Sequence, residues 1–142
     1  MSRVDFYVLK GSGDPTRNHF ACRLAEKAYR EKNTVHIQVA SDAAARQLDE
    51  LLWTFRDGSF LPHEVVDGRE VVAESPITVG VASAPSSTPD LLINLTDAVP
   101  ANADAFQRIA EIVTSDEPSK SRSRQHFVSY RDDGHQLESH QI

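Results

Sequence analysis

Short apolar runs alternate with amphipathic stretches along this chain. Residues 4–9 form an apolar run that ends at Gly11 and Gly13, which predicts a strand and a turn. Residues 16–32 follow as a helix, with Ala21, Leu24, Ala25 and Ala28 recurring on one face. Residues 34–39 are short and β-branched, a second strand. Ser41 is placed to cap a second helix running to about Trp53, with Ala44, Leu48 and Leu51 as its inward stripe. Residues 54–75 carry the turn signals Asp57-Gly58 and Asp67-Gly68 and are read as mostly irregular. Residues 77–81 and 91–95 are buried strands, separated by a Ser/Pro-rich surface loop at 82–90. Residues 103–114 are read as a helix with Phe106, Ile109, Ala110 and Val113 inside. A last helix starts near Pro118 and stops before Gly134, a residue suited to a left-handed terminator. Strands taking turns with helices predict an α/β fold with a mainly parallel central sheet, in one domain spanning residues 1–142.

Charge changes the picture at one place. The chain has a net charge of −6, yet residues 118–131 hold Lys120, Arg122, Arg124 and Arg131 and no acid. At about 100° per residue, Lys120, Arg124, Phe127 and Arg131 fall within roughly 60° of one another on a helix. A charge run is commonly just a solvated helix face. Three cations gathered around one aromatic ring suit a partner that combines negative charge with a hydrophobic side chain.

Trp53 is the second outlier. It points away from the inward stripe of its helix, beside Arg46 and Asp49. An outward Trp supplies large rigid apolar area and marks an interface. Phe60, Leu61 and Pro62 follow closely and extend the same patch.

The rest of the inventory excludes more than it offers. Six histidines (His19, His36, His63, His126, His135, His140) show no metal-ligand spacing, and the single Cys22 lies in a helix as a small packed residue. No metal and no cofactor are expected. The turn from Gly11 to Pro15 lacks the third glycine of a dinucleotide loop and the G-K-[ST] of a P-loop, and Asp14 would repel phosphate there. It remains the only sequence support for an alternative reading, a small phosphate-ester or nucleotide-binding enzyme. A pI near 5.4 argues against bulk nucleic-acid binding. Direct single-stranded-DNA binding would use Phe127 and Tyr130 as stacking platforms. Nothing approaches the length of a membrane span, and the start of the chain reads as a strand, not a leader. A lone cysteine fits a reducing cytoplasm.

Read together, LDELLWTFRDGSFLPH at 48–63, PDLLINL at 89–95 and RSRQHFVSYRDDGHQL at 122–137 resemble the chi subunit of bacterial DNA polymerase III, and DFYVL at 5–9 fits too. The resemblance spans nearly the whole chain. It implies a Rossmann-like sheet without nucleotide and a non-catalytic adaptor of the clamp-loader assembly. Such an adaptor grips the acidic, Phe-ended C-terminal tail of single-stranded-DNA-binding protein and joins the clamp loader through a small psi subunit, so DNA is met only indirectly. By position, Val113, Lys120, Arg124, Phe127, Val128 and Arg131 then belong to the tail site, and Trp53 and Phe60 to the psi-facing patch. Phe127 stands where some members have Tyr, which removes a hydroxyl. Val128 occupies a position that is basic in others.

Overall fold

A computed structural model describes residues 2–56, 61–66, 75–81 and 88–142. Among them, β1 (Arg3–Val8), α1 (Asp14–Arg30), β2 (Val35–Val39), α2 (Asp42–Thr54), β3 (His63–Val66), β4 (Ile77–Val81) and β5 (Leu91–Asn94) run in order. A short 3₁₀ turn (Ala103–Ala105), β6 (Arg108–Val113), α3 (Glu117–Asp132) and β7 (Gln136–Gln141) complete the chain. The strands form a seven-stranded sheet in the order β3-β4-β2-β5-β6-β1-β7, and every pair is parallel. The expected α/β domain with a parallel sheet is therefore the fold.

Strand alternation divides the core into two layers. Val35, Ile37, Ile77, Val79, Ile93 and Ala110 face α1 and α2 in one cluster. Val4, Phe6, Leu92, Ile109 and Val113 face α3 and its Tyr130 in the other. Local signals end the helices where expected. The Ser41 hydroxyl accepts the Ala44 N–H at 3.1 Å, Pro15 and Pro118 open α1 and α3, and Gly134 terminates α3 at φ 84°.

Three expectations are corrected, and one strand is added. The stretch 103–114 is a 3₁₀ turn and a strand instead of a helix. Ile109 to Thr114 are buried without a break because β6 is sandwiched between β5 and β1 with helices on both faces. A continuous apolar run has no period that separates a central parallel strand from a buried helix. The stretch 54–75 contains β3, which among the described residues is an edge strand paired with β4. β7, with the polar sequence QLESHQ, forms the opposite edge beside β1 and was not foreseen. Finally, α2 is rolled by about one position. Ala45, Leu48 and Leu52 enter the core, while Ala44 and Leu51 pack at its margin.

Candidate functional site: a basic, aromatic flank of α3

Helix α3 lies on the sheet through Ser119, His126 and Tyr130, all buried. Its orientation is set by a buried polar network. The Tyr130 hydroxyl donates to Glu111 Oε2 at 2.6 Å, and the Asn94 amide donates to the same oxygen at 2.8 Å. His126 Nδ1 lies 3.0 Å from Glu111 Oε1, and its Nε2 lies 2.8 Å from the Asp97 carbonyl. Both neighbours of the imidazole are acceptors, so both ring nitrogens donate. Burial alone would lower the His126 pKa, but the hydrogen bond and charge of Glu111 outweigh it and raise it. His126 thus ties α3 to β6 through Glu111.

With that face fixed, helical geometry turns Lys120, Arg124, Phe127 and Arg131 to one flank. Phe127 is 36% exposed, and its ring centroid sits 5.5 Å from that of buried Phe6 on β1. The sequence offered no sign of this partner beyond an apolar position in the first strand. Val113 is 5% exposed, ends β6 opposite Val8, and belongs to the cluster that contains Phe6. Val128 is exposed on the outer side of the helix, one turn from Arg124 at the edge of the stripe. Arg124 pairs with Glu117 at 2.7 Å, and both side chains are largely solvated. Such a pair is worth about 0–1 kcal/mol, so the guanidinium is free to exchange it for a ligand carboxylate. Arg131 makes a longer contact with Asp132 at 3.5 Å. Among the described residues, Lys120 has no ion-pair partner.

Tyr130 does not join this surface. It is fully buried with its hydroxyl committed to Glu111, so it offers no face on which a base can stack. That removes the direct single-stranded-DNA reading built on Phe127 and Tyr130.

The second patch sits on the other sheet face. Trp53 is 53% exposed, as the outward direction of its position predicts. Its ring rests 4.6 Å from that of His63, whose side chain is covered. His63 is held in turn by Nδ1 at 2.7 Å from the Leu61 carbonyl, while its Nε2 lies 3.0 Å from Asp49 without hydrogen-bond geometry. Pro62 is exposed beside it. Leu61 is 3% exposed and packs in the core, so it does not extend the patch as expected. Phe60 lies outside the described residues.

The turn at Gly11–Pro15 is closed to phosphate. The Gly13 N–H, which heads α1, donates to the Asp116 carboxylate at 3.2 Å, and the Ser115 N–H donates to the Gly11 carbonyl. Asp116 also accepts the Thr114 hydroxyl, and these bonds hold its pKa down at about 2. An internal carboxylate thus occupies the place an anion would take at a helix N-terminus.

Asp5, Glu138 and His140 converge closely enough to hold a cation. Asp5, however, is already met by Arg3 at 3.3 Å, Arg108 at 3.2 Å and His140 at 2.9 Å. Burial pushes its pKa up, but those partners outweigh it and the carboxyl titrates below the usual value. This cluster is an ion-pair network. Cys22 is fully buried and its thiol is pushed up to about 12 by desolvation, which fits packing and not nucleophilic chemistry.

The chain is an α/β domain with an open parallel sheet, a sealed phosphate turn and two exposed aromatic patches. Comparison with known proteins agrees on its kinship. The family model described as "DNA polymerase III chi subunit, HolC" matches residues 1–138, and the chain belongs to that family. A DNA polymerase III subunit chi of Pseudomonas aeruginosa is 39% identical over 142 residues, covering all of this chain and 98% of the relative. The Haemophilus influenzae subunit is 29% identical over 140 residues, covering 98% and 96% of the two chains. The Escherichia coli subunit is 27% identical, covering 96% of each. The fold is shared more widely. A solved Saccharomyces cerevisiae Dbp5 variant bound to RNA and ADP with beryllium fluoride matches 96% of this chain with a TM-score of 0.67 at 11% identity. The chain spans 41% of that protein's length. A second Dbp5 structure, bound to Gle1 and IP6, gives a TM-score of 0.63 at 10% identity. Membership of the chi family makes this chain an accessory subunit of DNA replication. No helix among the described residues is long and apolar enough to cross a membrane.

Proposed function

We propose that this protein is a non-catalytic, cytoplasmic adaptor that links the clamp-loader assembly of DNA polymerase III to single-stranded-DNA-binding protein. The α3 flank receives the acidic, Phe-ended tail of the latter, and the Trp53 patch, with Phe60, receives psi. The observation that carries the reading is the ring of Lys120, Arg124 and Arg131 around half-exposed Phe127 on a helix locked to the sheet. A terminal Phe packs against Phe127 over the Phe6 and Val113 cluster. Its free carboxylate takes a charge-assisted, bidentate bond from Arg124 in place of Glu117. Acids upstream meet Lys120 and Arg131 at longer, salt-screened range. Val128 adds apolar contact but no charge.

Calorimetry with the tail peptide tests this. Arg124→Ala should cost about 2 kcal/mol or more of binding, and Lys120→Ala about 1 kcal/mol or less. Deleting the terminal Phe should remove most of the affinity. Equal affinity for intact and truncated peptides would reduce the stripe to a solvated helix face.

A further inference from the structure

A second basic surface lies on α1, across the sheet from α3. Two adjoining hollows of about 550 and 580 Å³ share Phe20, Arg23 and Ile142. Leu9, Phe20 and Ile142 line the first, and Tyr7, Leu24 and Ile142 join Phe20 in the second. Lys10, Arg23, Lys27, Arg30 and Arg56 also line the hollows, against only Glu26 and Glu31. Glu26 is already neutralised by Arg56 at 2.9 Å and Arg30 at 3.7 Å. Among the described residues, Lys10, Arg23 and Lys27 have no ion-pair partner. An apolar floor beneath a surplus of cations, in a chain of net charge −6, is complementary to an acidic amphipathic partner.

The geometry narrows the partner further. Arg23, Lys27 and Arg30 recur at i, i+4 and i+7, a row about 10 Å long. About three residues of extended peptide span that length, with alternate side chains turned to the same side. One apolar side chain can then enter each hollow, while the acids between and beside them stay within reach of the long Lys and Arg side chains that rise around the rim. Base stacking by a single strand would need a free aromatic face, and the rings here are engaged with one another. Phe20 and Tyr7 contact each other at 5.4 Å, and His140 stacks on Tyr7 at 5.1 Å. We propose that this α1 groove is a second docking site, for an acidic peptide segment of a partner protein that carries aliphatic side chains, separate from both patches described above.

The probe is an amidated peptide of alternating aspartate and leucine, titrated into the isotopically labelled full chain and followed by amide chemical shifts. Amidation removes the terminal carboxylate that the α3 flank would bind. The expected result is saturable, salt-sensitive shifts at Arg23, Leu24, Lys27 and Ile142. A paired Arg23→Glu, Lys27→Glu substitution should weaken binding about tenfold or more, whereas paired Lys120→Glu, Arg124→Glu should leave it within about twofold. The proposal is overturned if shifts centre on α3, if no saturable binding occurs, or if a serine-for-leucine peptide binds equally. Stronger shifts at α1 from oligothymidine or from phosphatidylserine vesicles would overturn it too.

Discussion

The lock between α3 and β6 makes a quantitative prediction, because the helix that carries the basic stripe is oriented by one buried carboxylate. Tyr130→Phe removes a single hydroxyl, whose bond to Glu111 is 2.6 Å long, and leaves the ring in place. No cavity forms, so the cost is that of one hydrogen bond to a charged group, about 1.5–3 kcal/mol. For a domain of this size that lowers the melting temperature by about 5–10 °C. His126→Gln goes further, because Glu111 keeps the Asn94 and Tyr130 donors but loses its counter-charge, at about 3–5 kcal/mol. The pH dependence has a definite sign. The folded pKa of His126 is raised above its unfolded value, so its contribution is complete below about pH 6.5 and is lost as pH rises through the folded pKa. Urea unfolding followed by circular dichroism, at about pH 6 and at a series of higher pH values, should show the gap between wild type and His126→Gln narrowing as the pH rises through the folded pKa. A Tyr130→Phe protein with the wild-type midpoint, or a His126→Gln gap that does not move with pH, would refute the reasoning.

Three further outcomes are expected. His36 is fully buried with its pKa lowered to about 4 by desolvation, the opposite case to His126. Its folded pKa lies below the unfolded value, so stability is present above about pH 6.5 and up to about 3 kcal/mol is lost on acidification toward pH 4; urea midpoints should fall over that window in wild type and stay flatter in His36→Gln. Trp53→Ala removes a side chain that is already half in solvent, so the melting temperature should drop by no more than about 4 °C while capture of psi is lost; unfolding of the variant would place Trp53 in the core and end the interface reading. Cys22, buried with its thiol pushed up to about 12, should resist a thiol reagent at neutral pH until urea unfolds the chain, and rapid native labelling would contradict its packed role.

What the sequence determined by itself is local. Ser41, Pro15, Pro118 and Gly134 act on their own backbone neighbours, so three helices could be placed within a few residues. The stripe of Lys120, Arg124, Phe127 and Arg131 and the outward Trp53 follow from helical spacing alone. Tertiary structure decided whatever depends on a partner distant in the chain. Residues 108–113 became a strand because β1 and β5 supply its ladder on both sides, which the apolar pattern of that segment cannot record. The short β3 edge and the polar β7 edge exist only because β4 and β1 offer unpaired backbone groups to them. The closure of the Gly11 turn needs Asp116, and the floor beneath Phe127 needs Phe6, each more than a hundred residues away. The burial of Tyr130 with Glu111, Asn94 and His126 is of the same kind: each polar group is tolerable inside only because folding brings the others within hydrogen-bond distance, and no window along the chain contains that set.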